Sequence, residues 1–212
     1  WAISGAAMAL LSMEEVAGGP MVEHASATPI SAAGGWAGVQ RQLGNQPIEA
    51  FKITSLADRQ AIQVTTKTGA GLFDMASGEP IAVTPSIAGA VASAAHPASL
   101  PPLRIVPLTE LTLPVREHQL PIWRVDFADQ RNSSYYVSGT TGDLLERRND
   151  SWRWWDFFWM LHNMDYAKRT SFNHPLIIAV GFAMAWLAVT GFWLLFRTMW
   201  RHDFAWLRKR AS

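Results

Sequence analysis

Residues 176–196 read LIIAVGFAMAWLAVTGFWLLF, 21 positions without a charge. An α-helix rises about 1.5 Å per residue, so a run of this length covers a bilayer hydrocarbon core of roughly 30 Å. A soluble helix as long would carry a polar stripe, and this one carries none. Pro175 precedes the run, where a helix loses least from a missing N–H, and Trp186, Trp193 and Trp200 supply rings of the kind that gather at membrane–water interfaces. A transmembrane helix is therefore expected at 176–196. Charge gives it a direction. The formal net charge of +1 conceals a basic tail at 197–212, with Arg197, Arg201, Arg208, Lys209 and Arg210 against Asp203. Only Lys168 and Arg169 stand in the 15 residues before the run. The positive-inside rule puts the tail in the cytoplasm and the long preceding segment on the other side. No basic, aromatic-interleaved face is left for nucleic acid, and the absence of cysteine excludes disulfides, thiolate nucleophiles and cysteine-bound metal.

The chain opens with WAISGAAMALLSM, apolar for 13 residues, before Glu14 and Glu15. It lacks the charged start and cleavage site of a signal peptide. Residues 1–13 are read as the end of a first transmembrane helix, truncated at its beginning. Small residues recur on both helices, Gly5 and Ala9 on the first and Gly181, Ala185 and Ala188 on the second, a spacing that lets helix backbones approach in lipid.

Between the helices the texture changes to short strands and turns. Aligning Gly78 with Gly142 sets LFDMASGEPI at 72–81 over YVSGTTGDLL at 136–145. Each is an apolar strand end, a small polar turn with a glycine suited to positive φ, an acid, and a second apolar segment, which is the pattern of a β-hairpin. Upstream of each hairpin stands a candidate helix, at Gly35–Leu43 and 86–95, followed by candidate strands at 48–53 and 103–108. Alternation at 122–127 points Ile122, Arg124 and Asp126 one way and Trp123, Val125 and Phe127 the other. The expectation is an α+β chain with two tandem modules, 28–83 and 84–150, each a helix with antiparallel strands.

Several stretches together resemble the PepSY-domain membrane proteins, including the PepSY-associated transmembrane helix family: PIWRVDF at 121–127, YYVSGTTGD at 135–143, RRND at 147–150, DFFWMLHNMDY at 156–166 and FNHPL at 172–176. Ser138 stands where that family usually has Asp in the second turn. The resemblance implies a small antiparallel sheet packed on helix, held on the periplasmic side of a bacterial inner membrane by flanking spans. It also implies kinship with inner-membrane reductases for iron–siderophores, in which transmembrane histidines hold haem, and with peptidase propeptides, in which PepSY domains contact proteins.

The helix expected at 151–168 is entered through Asn149-Asp-Ser151, a plausible N-cap. Trp152, Trp155, Trp159, His162 and Tyr166 recur at helical spacing, and a tryptophan-rich helix beside a span is expected at the membrane interface. A neutral imidazole can ligate haem iron, and a bis-histidine site needs two. His162 and His174 are the candidate pair for haem b, or else two interface residues. No histidine lies inside 176–196. His24, His96 and His118 are expected to be solvated or satisfied locally. The sequence contains no catalytic or nucleotide-binding motif of the GxSxG, HExxH or phosphate-loop type, so whether the chain is an enzyme stays open. Two functions follow. One is an accessory or electron-transfer component of a membrane redox system for iron–siderophore reduction. The other is a membrane-anchored periplasmic module that binds or regulates a peptidase or another protein. Partners in both are the lipid bilayer and other membrane or periplasmic proteins.

Overall fold

The computed structural model describes residues 1–19, 34–56, 59–166 and 175–210, the last with side chains to Thr198. It divides into two compact units, one of Leu10–Trp155 and one of Trp1–Ala9 with Asp156–Ser212.

The unit Leu10–Trp155 is α+β. After α2 (Met13–Val16) and α3 (Gly35–Leu43), strands β1 (Ile48–Leu56), β2 (Arg59–Thr66) and β3 (Gly69–Asp74) form an antiparallel sheet in sequence order. Helix α4 (Pro85–Ala95) follows, then a second antiparallel sheet of β4 (Arg104–Pro107), β5 (Ile122–Asp126), β6 (Ser134–Ser138) and β7 (Leu144–Arg148). Both helices approach their surroundings through missing side chains. A Cβ on Gly38 of α3 would stand 2.7 Å from the Ser77 carbonyl oxygen, and one on Gly89 of α4 would stand 2.7 Å from Ile105 Cδ1. Thr84 caps α4 by accepting from Ile87 N, with Pro85 in the first turn.

The expected alternation along β5 is present. Trp123, Val125 and Phe127 join Tyr135 and Val137 in a cluster under α4, whereas Ile122 packs with Val115 and Tyr136 on the opposite face. Val125 and Val137 are fully buried, each worth roughly 1.5–3 kcal/mol of apolar burial. That cluster also takes Leu56, Ala61 and Leu72 from the first sheet. Lys52 and Asp143 form an ion pair of 2.9 Å between the sheets. The two expected modules thus share a core and fold as one unit.

The hairpin likeness extends to individual hydrogen bonds. In the first turn Gly78 N donates to Asp74 O at 2.8 Å and Asp74 N to Glu79 O at 2.8 Å. In the second, 64 residues on, Gly142 N donates to Ser138 O at 3.0 Å and Ser138 N to Asp143 O at 2.8 Å. Side chains follow the same offset. Asp74 Oδ1 accepts from the amides of Ala76 and Ser77, and Ser138 Oγ accepts from those of Thr140 and Thr141. Ser77 Oγ accepts from Glu79 N as Thr141 Oγ1 accepts from Asp143 N. Gly78 and Gly142 have φ of 75° and 71°. Ser138 therefore does the backbone work of the aspartate. The second arms differ. The first copy makes only an isolated bridge from Phe73 to Pro80, with Ile81 N donating to Leu72 O at 2.8 Å, while the second continues as β7.

The other unit holds α1 (Ala2–Ala9), most of α5 (Asp150–Asn163) and α6 (Pro175–Arg210). Within α6, Pro175–Thr198 has a mean hydropathy of 2.0 over its most apolar stretch, none of it buried, and is long and apolar enough to cross a membrane. Thr190 and Thr198 return their hydroxyls to the carbonyls of Trp186 and Leu194, so neither presents an unmade donor to an apolar surrounding. Three boundaries differ from the sequence reading. The apolar opening is not one continuous helix, because α1 ends at Ala9 and α2 begins at Met13. Helix α6 continues past 196 through the basic tail to Arg210. Helix α5 stops at Asn163, where Met164 takes a φ of 55°, so Tyr166 lies beyond the helix rather than on its tryptophan face. Among the described residues, one helix is of bilayer length.

Candidate functional site

His162 sits in the last turn of α5 and is held by α1. The Trp1 indole stacks on its ring with centroids 5.0 Å apart and planes 16° from parallel. Trp1 Nε1 donates to the His162 carbonyl oxygen at 2.9 Å, and Ser4 Oγ lies 3.3 Å from His162 Nδ1. Gly5 completes the contact, since a Cβ there would stand 3.3 Å from His162 Cε1. The small residue expected to admit a second membrane helix thus admits a histidine, and Gly181 on α6 has nothing within 4 Å of the corresponding position. Nε2 is the ring edge without a protein partner among the described residues. His174, the other histidine of the expected pair, lies outside the described residues.

Of the other residues expected at the interface, Trp152, Trp155 and Trp159 lie on α5, and Tyr166 lies beyond it. Asn149 caps this helix, its Oδ1 accepting from Trp152 N at 2.9 Å. Trp152 is half-buried under the Arg148 guanidinium, 4.8 Å from its ring centroid. Trp155 and Trp159 are half-buried too, while the exposed aromatic residues of the helix are Trp154 and Phe157.

A second candidate lies wholly within the α+β unit. A cleft of about 380 Å³ opens between α2 with Gly18 and Gly19 on one side and His96, Asp129, Ser133, Tyr135 and Asn149 on the other. Residues distant in sequence hold it together. Arg131 pairs with Glu15 at 2.6 Å, Asn149 Nδ2 donates to the Glu15 carbonyl, and Arg147 donates to that of Gly19.

At the cleft floor His96 is 6% exposed and packs against Phe127 and Tyr135. Ala98 N donates to its Nδ1 at 3.2 Å, so the ring proton is on Nε2, which donates to Asp129 Oδ2 at 3.4 Å. Asp129 also accepts from Ser133 N at 2.7 Å and Ser133 Oγ at 2.6 Å. Burial pushes the Asp129 carboxyl up, but the Ser133 hydroxyl and amide, with His96, outweigh it and hold the group below its ordinary value. Burial raises the Tyr135 phenol despite nearby Arg147. Both ring nitrogens of His96 are spent on structure, so the pair clamps the loop after α4 to the β5–β6 connection. His118 is satisfied locally as well, through Glu146 at 3.1 Å, and His24 lies outside the described residues.

Sequence reasoning did not find this cleft. Its lining comes from four separated segments, brought together by long-range bonds such as those of Glu15 with Arg131 and Asn149 and of His96 with Asp129. Fold and sites together define an α+β protein with, among the described residues, one helix of bilayer length. Comparison of the chain with known protein families, curated proteins and solved structures gives no match in any of the three.

Proposed function

We propose that the chain is a PepSY-type membrane protein whose two tandem hairpin-bearing segments form a binding module displayed outside the cytoplasm, anchored by α6. The observation that carries this is the repeated turn, with its matched hydrogen bonds, in a chain that also has a helix of bilayer length with no buried residue among those described. Both turns present small polar residues on a rigid frame, which suits recognition of another protein's backbone or side chains. The polar groups at the cleft floor are consumed in holding the unit together, which favours a scaffold for contact over a reacting centre. The module acts by holding a periplasmic partner, such as a peptidase, at the membrane surface. A photo-crosslinking residue placed at Ser77 or Thr140 in membranes tests this. Discrete adducts from these turns, absent with the probe at exposed Lys67, support it; identical adduct patterns from all three positions refute it.

His162 favours a second reading, an accessory redox component that takes part in iron–siderophore reduction. Its support is a histidine whose ring face is stacked by Trp1 and whose Nδ1 edge meets Ser4 of α1, while Nε2 has no partner among the described residues. His162 would supply one axial nitrogen to haem b, whose contribution when bound is one-electron transfer. A Soret band in the purified protein after haem-replete expression supports this reading, and its absence refutes it.

A further inference from the structure

Strand β1 closes one side of the first sheet, and among the described residues its outer edge pairs with no strand. The register shows which backbone groups lie on that edge. Met75 N donates to the Gln60 carbonyl oxygen at 3.2 Å, on the side of β2 that carries β3. Bonding alternates along a strand, so Arg59, Ala61 and Gln63 turn their groups toward Leu56, Thr54 and Lys52 of β1. The residues in between, Phe51, Ile53 and Ser55, aim N–H and C=O outward, where no described residue meets them.

The two faces of β1 differ. Phe51 and Ile53 stand opposite Val64 and Ile62, which pack under α3 with Trp36. The cover ends there: Phe51 is 61% exposed and Ile53 43%, with the Trp36 ring 5.2 Å from that of Phe51. Lys52, on the other face, pairs with Asp143 yet keeps 55% of its side chain exposed. An unpaired ladder edge beside an apolar shelf is the arrangement that accepts an added strand.

We propose that the β1 edge binds an extended segment of another protein as a fourth, antiparallel strand, apolar at the positions opposite Phe51 and Ile53 and acidic opposite Lys52. A second copy of this chain fits worse. Two-fold pairing centred on Phe51, Lys52 or Ile53 sets Lys52 diagonal to, or directly opposite, its own counterpart, and the irregularity between Ile48 and Ala50 ends the register on one side. That the ligand is a protein rests on the binding-module reading above; the open edge rests on the register alone.

The test titrates the full chain in lipid nanodiscs against a fluorescein-labelled nine-residue peptide, threonine alternating with valine and aspartate at its centre, with anisotropy as readout. In the proposed pairing the valine N–H groups face β1 and those of threonine face solvent. N-methylation at valine should weaken binding by about tenfold or more, and at threonine by less than about twofold. Ile53→Pro removes an outward N–H while sparing the bonds to β2, and should abolish binding. Lys52→Gln should erase the preference for this peptide over its asparagine analogue. Equal effects of the two N-methyl series, the reverse pattern, or no saturable binding overturns the proposal, and the peptide series does so without altering the protein. Because the chain has no native cysteine, disulfide-linked dimers of Phe51→Cys in membranes would show copies paired at this edge and overturn it too. Loss of peptide binding with discrete turn-directed crosslinks intact removes the edge alone and leaves the module reading standing.

Discussion

Replacing Gly78 by alanine should destabilise the α+β unit more than the same change at Gly142, although the two glycines occupy matching places in matching turns. Both have positive φ, which costs a residue with a Cβ about 1–2 kcal/mol. Their surroundings then separate them. A Cβ at Gly78 would stand 2.2 Å from the Gly35 carbonyl oxygen, 2.7 Å from Gly38 Cα and 2.9 Å from Val39 N, all of them backbone atoms of α3. Relief requires the helix to move off the sheet, and overpacking of this kind costs about 1–3 kcal/mol more. At Gly142 the obstacle is Leu56 Cδ2 at 2.5 Å, the end of a side chain that can change rotamer within the core. The expected losses are therefore about 2–5 kcal/mol for Gly78→Ala and about 1–3 kcal/mol for Gly142→Ala. Urea unfolding of the full chain in mild detergent, followed by near-ultraviolet circular dichroism, measures both. Equal losses, or a larger loss at Gly142, would refute the claim that α3 rests directly on the first turn.

The Asp74 carboxyl lies below its ordinary value, mainly because it accepts the Ser77 amide. The lowered pKa contributes stability that is complete above the unfolded value near ~3.9 and is lost as pH falls through the folded one. Asp74→Ser installs the residue used in the second turn, so stability at pH 7 should change by less than about 1 kcal/mol while the acid limb of the stability–pH curve flattens; an unchanged limb contradicts the assignment. Asn149→Ala removes the cap of α5 and the bond to the Glu15 carbonyl, and should cost about 1–2 kcal/mol in the same unfolding assay. Leu187→Arg near the middle of the apolar run should cost about 2.5–3.5 kcal/mol in membrane insertion and raise the alkali-extractable fraction of the protein. A fraction equal to wild type would argue against α6 as a span.

Local chemistry was readable in the sequence wherever neighbours along the chain decide it. Helix α3 has the bounds its composition suggests, α4 begins at Pro85 rather than one residue later, and alternation at 122–127 placed Val125 and Ile122 on opposite faces. The β-hairpin pattern located both turns, but the second arm of the first copy makes only the one bridge at Pro80, which similarity of apolar residues does not register. What failed to show was long-range pairing. Leu56 reaches into the core beneath α4, and Glu15 meets Arg131 and Asn149 across more than a hundred positions. The role of Gly5 was misplaced for the same reason, because its partner is His162 rather than another small residue.

Membrane anchoring with the module outside and the basic tail inside is the central claim, and the absence of native cysteine makes it directly measurable. Single-cysteine variants Ser77→Cys and Ser212→Cys, expressed in bacteria and converted to spheroplasts, can be treated with a membrane-impermeant maleimide before and after lysis. The account predicts that Ser77→Cys is labelled in intact spheroplasts and Ser212→Cys only after lysis. The reverse pattern, or equal labelling of both in intact spheroplasts, would contradict it.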